Sequence, residues 1–141
     1  QDQILIAGDQ VLPTISPNVR VLPSRPDANP LREFLESLAR LEHCALNTLV
    51  LPSHGRPFRG LHRRVDVLRS HHRQQLESLR KACRDPQTAY GLLPVMFGRP
   101  LRGYHRFLAL GETVAHLNYL WHAGDLKRTV DDAGRIHFVA G

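Results

Sequence analysis

The sequence lacks the features that mark several special classes of protein. It has two cysteines, Cys44 and Cys83, which are far apart and form no Cys-x-x-Cys pair. This argues against a disulfide-stapled secreted domain, and we expect free thiols and a cytoplasmic location. No apolar run approaches the roughly 18 residues of a membrane-spanning helix. There is also no internal repeat, no P-loop and no Gly-x-Gly-x-x-Gly sequence.

Methionine is nearly absent as well. The chain begins with Gln1 and its single methionine is Met96, so we expect it to be a piece of a longer protein. What is present is globular in composition, with 42% apolar and 23% charged residues. The net charge of +6 is uneven, because residues 56–84 hold nine basic and two acidic side chains. The positive charge is therefore concentrated on one local part of the surface.

The first 60 residues alternate between strand and helix signals. The apolar runs at residues 4–7 and 47–51 each end in a turn and predict two buried strands. Residues 13–30 are too rich in proline for a helix. After them, leucine and phenylalanine at spacings of three and four predict an amphipathic helix, with Asn29 as N-cap and Pro30 as first helical residue. This order predicts an α/β layered unit.

From residue 61 the pattern becomes mainly helical. Apolar residues at steps of three and four from Leu61 to Cys83 predict one continuous helix, with His72 as a packed core histidine on its stripe. A short helix through residues 89–95 and a third helix from about Gly103 to Gly124 follow. The predicted apolar face of the third helix consists of Phe107, Leu110, Val114, Leu117 and Trp121. An Asp/Gly turn at 131–134 predicts a β-hairpin, and three helices followed by a hairpin are the winged-helix arrangement.

Each of the two predicted strands ends in a glycine-containing turn with a candidate metal ligand. Asp9 follows Gly8, and His54 precedes Gly55. Open α/β folds place their sites at the carboxyl ends of strands, so a carboxylate and an imidazole delivered there could bind one or two divalent ions. Taken singly, each residue could equally be part of an ordinary turn. Because both residues stand in a glycine-containing turn directly after a predicted strand, we favour the metal site.

Three segments of the sequence resemble the metallo-β-lactamase fold hydrolases. They are residues 4–18 (ILIAGDQVLPTISPN), 29–38 (NPLREFLESL) and 49–57 (LVLPSHGRP). The likeness is greatest to the subgroup similar to lactamase-like protein 2, which carries an appended C-terminal winged-helix domain. The resemblance implies that residues 1–60 are the C-terminal part of an αββα metallo-β-lactamase-like domain. Residues 61–141 would be a winged-helix-like domain of three helices and a β-hairpin.

The resemblance also implies a ligand set and a reaction. Asp9 would bridge two metal ions and His54 would be the last histidine ligand, while the family's His-x-His-x-Asp-His motif is absent from the sequence. The parent protein would use zinc, in a pair of ions, to activate water and cleave an ester, thioester or phosphodiester bond. Asp plus His also accommodates iron or manganese. With two ligands, we expect the 141-residue chain alone to bind zinc weakly or not at all and to be inactive.

A winged-helix nucleic-acid-binding module is the alternative function. Residues 56–84 offer a basic face, on which Arg63, Arg64 and Arg73 could meet phosphates. Against this, the third helix is poor in base-reading side chains and Asp131 and Asp132 make the hairpin tip acidic. A solvated basic helix face is the simpler interpretation.

The expected partners follow from these hypotheses. A small-molecule ester or thioester, or RNA, would be the substrate of the parent protein, since the resembling subgroup includes endoribonuclease activity, and no membrane is expected. An incomplete layered domain leaves an exposed sheet edge. We expect a homodimer or a missing N-terminal half to cover it.

Overall fold

The structure, a computed structural model, describes residues 3–141, so the first two residues of the predicted first domain lie outside the described residues. The chain has a mixed α/β fold. In chain order its elements are β1 (Ile4–Gly8), α1 (Pro30–Arg40), a 3-10 turn (Leu41–His43), β2 (Leu49–Pro52), α2 (Leu61–Ala82), α3 (Leu93–Phe97), α4 (Gly103–Ala123), β3 (Leu126–Val130) and β4 (Ile136–Ala140). None of the helices described could cross a membrane, because none is both long and apolar enough.

The proximity of Cα atoms divides the chain into two compact units. The first unit holds the residues up to Asn18 together with Glu33–His72. The second unit holds Val19–Arg32 and Arg73–Gly141. Helix α2 therefore contributes to both units. The domain boundary at residues 60 and 61 stays a prediction.

The sheet of the first unit consists of the two predicted strands, which pair in parallel with Ile4 opposite Leu49 and Gly8 opposite Pro52. The existence of both strands is confirmed. The expected burial of β1 is wrong, since Ile4 is 63% and Ile6 82% exposed. The reason is that among the described residues the sheet has two strands, and nothing there covers the face on which these side chains lie.

Helix α1 begins where the sequence predicts. The backbone N–H of Arg32 donates to Asn29 Oδ1 at 3.3 Å, which caps the helix ahead of Pro30. The apolar stripe of α1 is buried at Leu31, Phe34 and Leu38. His72 on α2 is fully buried, and its ring meets the Phe34 ring edge-on at 5.5 Å. The prediction of a packed core histidine is confirmed.

The second unit has its own hydrophobic core and a β-hairpin. Strands β3 and β4 pair antiparallel, from Leu126 opposite Ala140 to Val130 opposite Ile136, as predicted. The long helix and the third helix are confirmed, and Gly124 ends α4 in the left-handed conformation at φ +84°. The short helix begins at Leu93 instead of 89, since residues 89–92 form a turn. The core contains Leu79, Cys83, Leu92, Met96, Leu117, Leu120, Leu126 and Phe138.

The predicted apolar face of α4 is only partly correct. Leu117 is fully buried, whereas Phe107 is 49% exposed and Leu110, Val114 and Trp121 are half-buried. The polar residues Thr113 and His116 are buried on α4, and the helix's own carbonyls satisfy them. Thr113 Oγ1 donates to the Ala109 carbonyl at 2.9 Å, and the Glu112 carbonyl accepts from His116 Nδ1 at 2.8 Å.

Candidate metal centre

The ends of β1 and β2 lie side by side, because the two strands are parallel and in register. Gly8 is opposite Pro52, and the backbone N–H of Ser53 donates to the Gly8 carbonyl at 2.9 Å. Gly8 has a φ of +53°, a conformation that glycine adopts without strain, and it turns the chain directly after the strand. The residues that follow the two strands therefore start from one edge of the sheet.

Asp9 and His54 meet at this edge, as their positions after the two strands suggested. His54 Nε2 lies 3.5 Å from Asp9 Oδ1. Both side chains remain open to solvent, at 69% exposure for Asp9 and 73% for His54. Ser53 Oγ donates a hydrogen bond to the same carboxylate oxygen. The serine therefore orients the Asp9 carboxylate, a role that sequence reasoning missed because only the parallel register brings the two residues together.

The turn after His54 is held by a close approach between two loops. Gly55 has a φ of +87°, and a Cβ atom there would lie 2.6 Å from Cγ of Pro13. No larger residue fits without displacing the proline. Gly55 therefore fixes both the backbone conformation after His54 and the position of the loop that follows Asp9.

Arg64 anchors that loop from helix α2. Its guanidinium donates to the carbonyl of Leu12 at 2.7 Å and to that of Ile15 at 2.8 Å. Burial lowers the pKa of Arg64, and burial together with the Arg64 charge lowers the pKa of His71. Arg64 is thus engaged with backbone carbonyls, and the phosphate contact that the alternative function gives it stays a prediction. Arg63 and Arg73, the other members of the predicted basic face, are exposed.

The donor chemistry of the Asp9 and His54 pair fits a divalent ion, but the number of donors does not complete a site. A carboxylate oxygen and an imidazole nitrogen are ordinary ligands of zinc, which takes about four. Within residues 3–141, no group of three or more histidine, cysteine, aspartate or glutamate side chains is close enough to hold a metal. The described residues thus offer two ligand positions on an open surface.

Comparison with known proteins finds one matching family domain and similar solved structures. The metallo-beta-lactamase-like, C-terminal domain matches residues 76–141. A beta-lactamase domain protein from Burkholderia ambifaria is 50% identical over 99% of the chain, with a TM-score of 0.96. A metallo-beta-lactamase family protein from Thermus thermophilus is 32% identical over 98% of the chain, with a TM-score of 0.82.

The chain spans only part of these relatives, covering 42% of the length of each. The search of curated proteins gives no match. The two solved structures extend the likeness beyond the matched domain to nearly the whole chain. Residues 76–141 therefore match the metallo-beta-lactamase-like C-terminal domain, and the chain as a whole is similar in sequence and structure to metallo-beta-lactamase family proteins.

Proposed function

We propose that the chain is the C-terminal part of a metal-dependent hydrolase. The observation that supports this most directly is the convergence of Asp9 and His54, 3.5 Å apart, at the carboxyl edge of two parallel strands. Similarity to metallo-beta-lactamase family proteins suggests the same class of reaction. Since the chain spans 42% of those relatives, the activity belongs to the longer protein that the proposal implies.

In this proposal Asp9 and His54 are two ligands of a pair of zinc ions, and the other ligands come from outside the described residues. Bound zinc would supply Lewis acidity and activate water for cleavage of an ester, thioester or phosphodiester. The chain's own contribution is positioning. The Ser53 hydroxyl fixes the Asp9 carboxylate, and Gly55 sets the turn after His54.

The proposal also assigns residues 61–141 to a winged-helix-like domain. Its support is the order of elements, since α2, α3 and α4 are followed directly by the β3–β4 hairpin. Residues 1–60 would then be the C-terminal part of the metallo-β-lactamase-like domain, whose remaining strands would extend the two-stranded sheet. A second copy or the missing N-terminal half would cover the exposed face of β1.

The reading frame that precedes Gln1 in the gene tests the proposal without any protein. A His-x-His-x-Asp-His motif encoded there would supply the missing ligands and support it. A different domain in that position would overturn it. The substrate class is then tested on the encoded protein with ester, thioester and phosphodiester substrates, comparing wild type with Asp9→Asn.

Zinc titration by calorimetry tests the two ligands on the chain itself. We expect weak zinc binding, with an affinity that falls at least tenfold in Asp9→Asn and in His54→Gln. His105→Gln, which changes an exposed histidine on α4, is the matched control and should bind like wild type. Zinc binding that survives both ligand variants, or stoichiometric zinc that withstands dialysis, would contradict the two-ligand assignment.

The second candidate, a nucleic-acid-binding module, has one supporting observation, which is that Arg63 and Arg73 are exposed on the same helix. Arg64 between them is engaged with backbone carbonyls. Electrophoretic mobility shifts with duplex DNA and single-stranded RNA test this candidate. Salt-sensitive binding that weakens in Arg63→Gln and Arg73→Gln would favour it over the hydrolase, and no shift at low salt would exclude it.

A further inference from the structure

The second unit contains an apolar cleft that the proposed hydrolase site does not use. It has a volume of about 240 Å³. Its walls are the loop segment 21–23, one face of helix α4 with Phe107 and Val114, and the hairpin residues Ile136 and Phe138. The α4 residues belong to the apolar face that the sequence predicts for this helix. In the structure they face an open space instead.

Hydrogen bonds at two ends of the cleft fix the position of the loop against the helix. At one end, the backbone N–H of Val21 donates to the Gly111 carbonyl at 3.0 Å. A Cβ atom at Gly111 would lie 3.1 Å from both Arg20 Cβ and the Val21 carbonyl oxygen, so glycine permits this approach. At the other end, Asn118 Nδ2 donates to the carbonyls of Pro26 and Ala28 at 2.8 and 2.9 Å. The cleft is therefore preformed.

Two arginines line the cleft, and within the described part of the chain only one of them is paired with an acidic side chain. Arg128 lines the cleft, but its guanidinium pairs with Asp27 at 2.6 Å and lies 3.8 Å from the centroid of the Trp121 ring. Arg20 also lines the cleft, and its guanidinium has no hydrogen-bond or ion-pair partner among residues 3–141. A half-buried arginine at the wall of an apolar cleft attracts a carboxylate, which accepts from a guanidinium in bidentate geometry.

We propose that this cleft binds a small amphiphilic carboxylate, with its hydrocarbon part between α4 and the loop and its carboxylate on Arg20. Ligand sites are typically concave and mostly apolar, with a few polar groups that fix orientation. A volume of about 240 Å³ suits a small ligand with a hydrocarbon chain of medium length. The site does not involve Asp9 or His54, so it stands independently of the proposed function.

Calorimetric titration of the full chain with octanoate, 1-octanol and octylamine tests the proposal. Octanoate is expected to bind saturably, and octanol and octylamine at least tenfold more weakly. Arg20→Gln should weaken octanoate binding about tenfold, to the level of octanol. Arg99→Gln removes an exposed arginine that does not line the cleft, and it should bind octanoate like wild type.

A second variant tests the location of the hydrocarbon part. Val114→Phe fills the cleft and should abolish binding of octanoate and octanol alike, whereas Val95→Phe, at an exposed position on α3, should not. Circular dichroism melts establish that the variants are folded. If Val114→Phe does not fold, the comparison of octanoate binding by wild type and Arg20→Gln still tests the proposal. Absence of octanoate binding at millimolar concentration, or equal binding by wild type and Arg20→Gln, would overturn the proposal.

Discussion

At the scale of single residues, Asn118 shows how an asparagine can be buried within a helix. Its side chain is 1% exposed, and both hydrogens of the amide nitrogen are used by the carbonyls of Pro26 and Ala28. These carbonyls belong to a proline-rich loop with no regular structure of its own. One side chain therefore ties two backbone carbonyls of the loop to α4.

Replacing Asn118 with alanine should destabilise the protein. The change leaves two carbonyls without their donors and opens a small cavity, so we expect the free energy of unfolding to fall by about 1–3 kcal/mol. Urea denaturation measures the loss. Gln74→Ala, at an exposed position on α2, is the control and should change stability by less than about 0.5 kcal/mol. Equal effects of the two substitutions would contradict the role given to Asn118.

Glu112 on α4 should make stability depend on pH. Burial raises the pKa of its carboxyl group to about 7, from an ordinary value of 4.5. Between these values the folded state keeps a proton that the unfolded chain loses, so the contribution of Glu112 to stability is fully present below pH 4.5 and is lost as pH rises to 7.

Glu112→Gln removes this titration. We expect the variant to gain stability relative to wild type across the same window, by up to about 3 kcal/mol at its upper end. Urea midpoints measured between pH 4.5 and 7.5 check this, with the exposed Glu33→Gln as control. A constant difference between Glu112→Gln and wild type over the window would show that Glu112 ionises normally.

At the scale of secondary structure, the helix ends that depend on local interactions could be predicted from the sequence. The Asn29 cap and the Gly124 stop are local signals, and both mark helix ends in the structure. The orientation of α4 was not predictable from apolar periodicity. Its interior includes His116 and Thr113, whose polarity is compensated by carbonyls one turn earlier on the same helix. A prediction from the spacing of apolar residues therefore assigns His116 and Thr113 to the surface.

The turn that carries His54 offers a test of a close approach between two loops. Gly55 and Gly60 have nearly equal φ angles of +87° and +88°, but a Cβ atom meets Pro13 only at Gly55 and finds nothing within 4 Å at Gly60. Alanine at Gly60 therefore costs only the left-handed strain of about 1–2 kcal/mol. Alanine at Gly55 should cost at least about 1 kcal/mol more because of the overlap with the proline.

Thermal or urea denaturation of Gly55→Ala and Gly60→Ala measures this difference directly. Since both substitutions add one methyl group at the same backbone angle, the comparison separates steric overlap from conformational strain. Equal losses of stability would show that Pro13 moves aside freely. The loop after Asp9 would then be less constrained than the hydrogen bonds from Arg64 suggest.

At the scale of the whole molecule, the candidate site could be predicted only in part. The proximity of Asp9 and His54 was predictable because the rule that sites follow parallel strands needs no knowledge of distant contacts. Ser53 and Arg64 were missed as positioning residues, because their roles depend on the register of β1 with β2 and on the packing of α2 against the loop at residues 12–15. Such contacts leave no periodic signal in the sequence.

The exposed face of β1 should drive association. Ile4 and Ile6 project on the same side of the strand and are 63% and 82% exposed. We expect concentration-dependent self-association in light scattering, reduced by Ile6→Lys, because a charge on a strand of this kind opposes edge pairing. Val67→Lys, at an exposed position on α2, is the control. A chain that remains monomeric at all concentrations would contradict this prediction.

The contact between Arg128 and Trp121 has an optical consequence. The chain has a single tryptophan, and in the second unit its ring carries a guanidinium that Asp27 holds in place. Fluorescence excited where tyrosine does not absorb therefore originates entirely from this unit. A change in emission wavelength during unfolding reports that the environment of the Trp121 ring, including its contact with Arg128, has changed. Compared with circular dichroism, which follows all helices together, this emission can show whether the two units lose their structure in one step or in two.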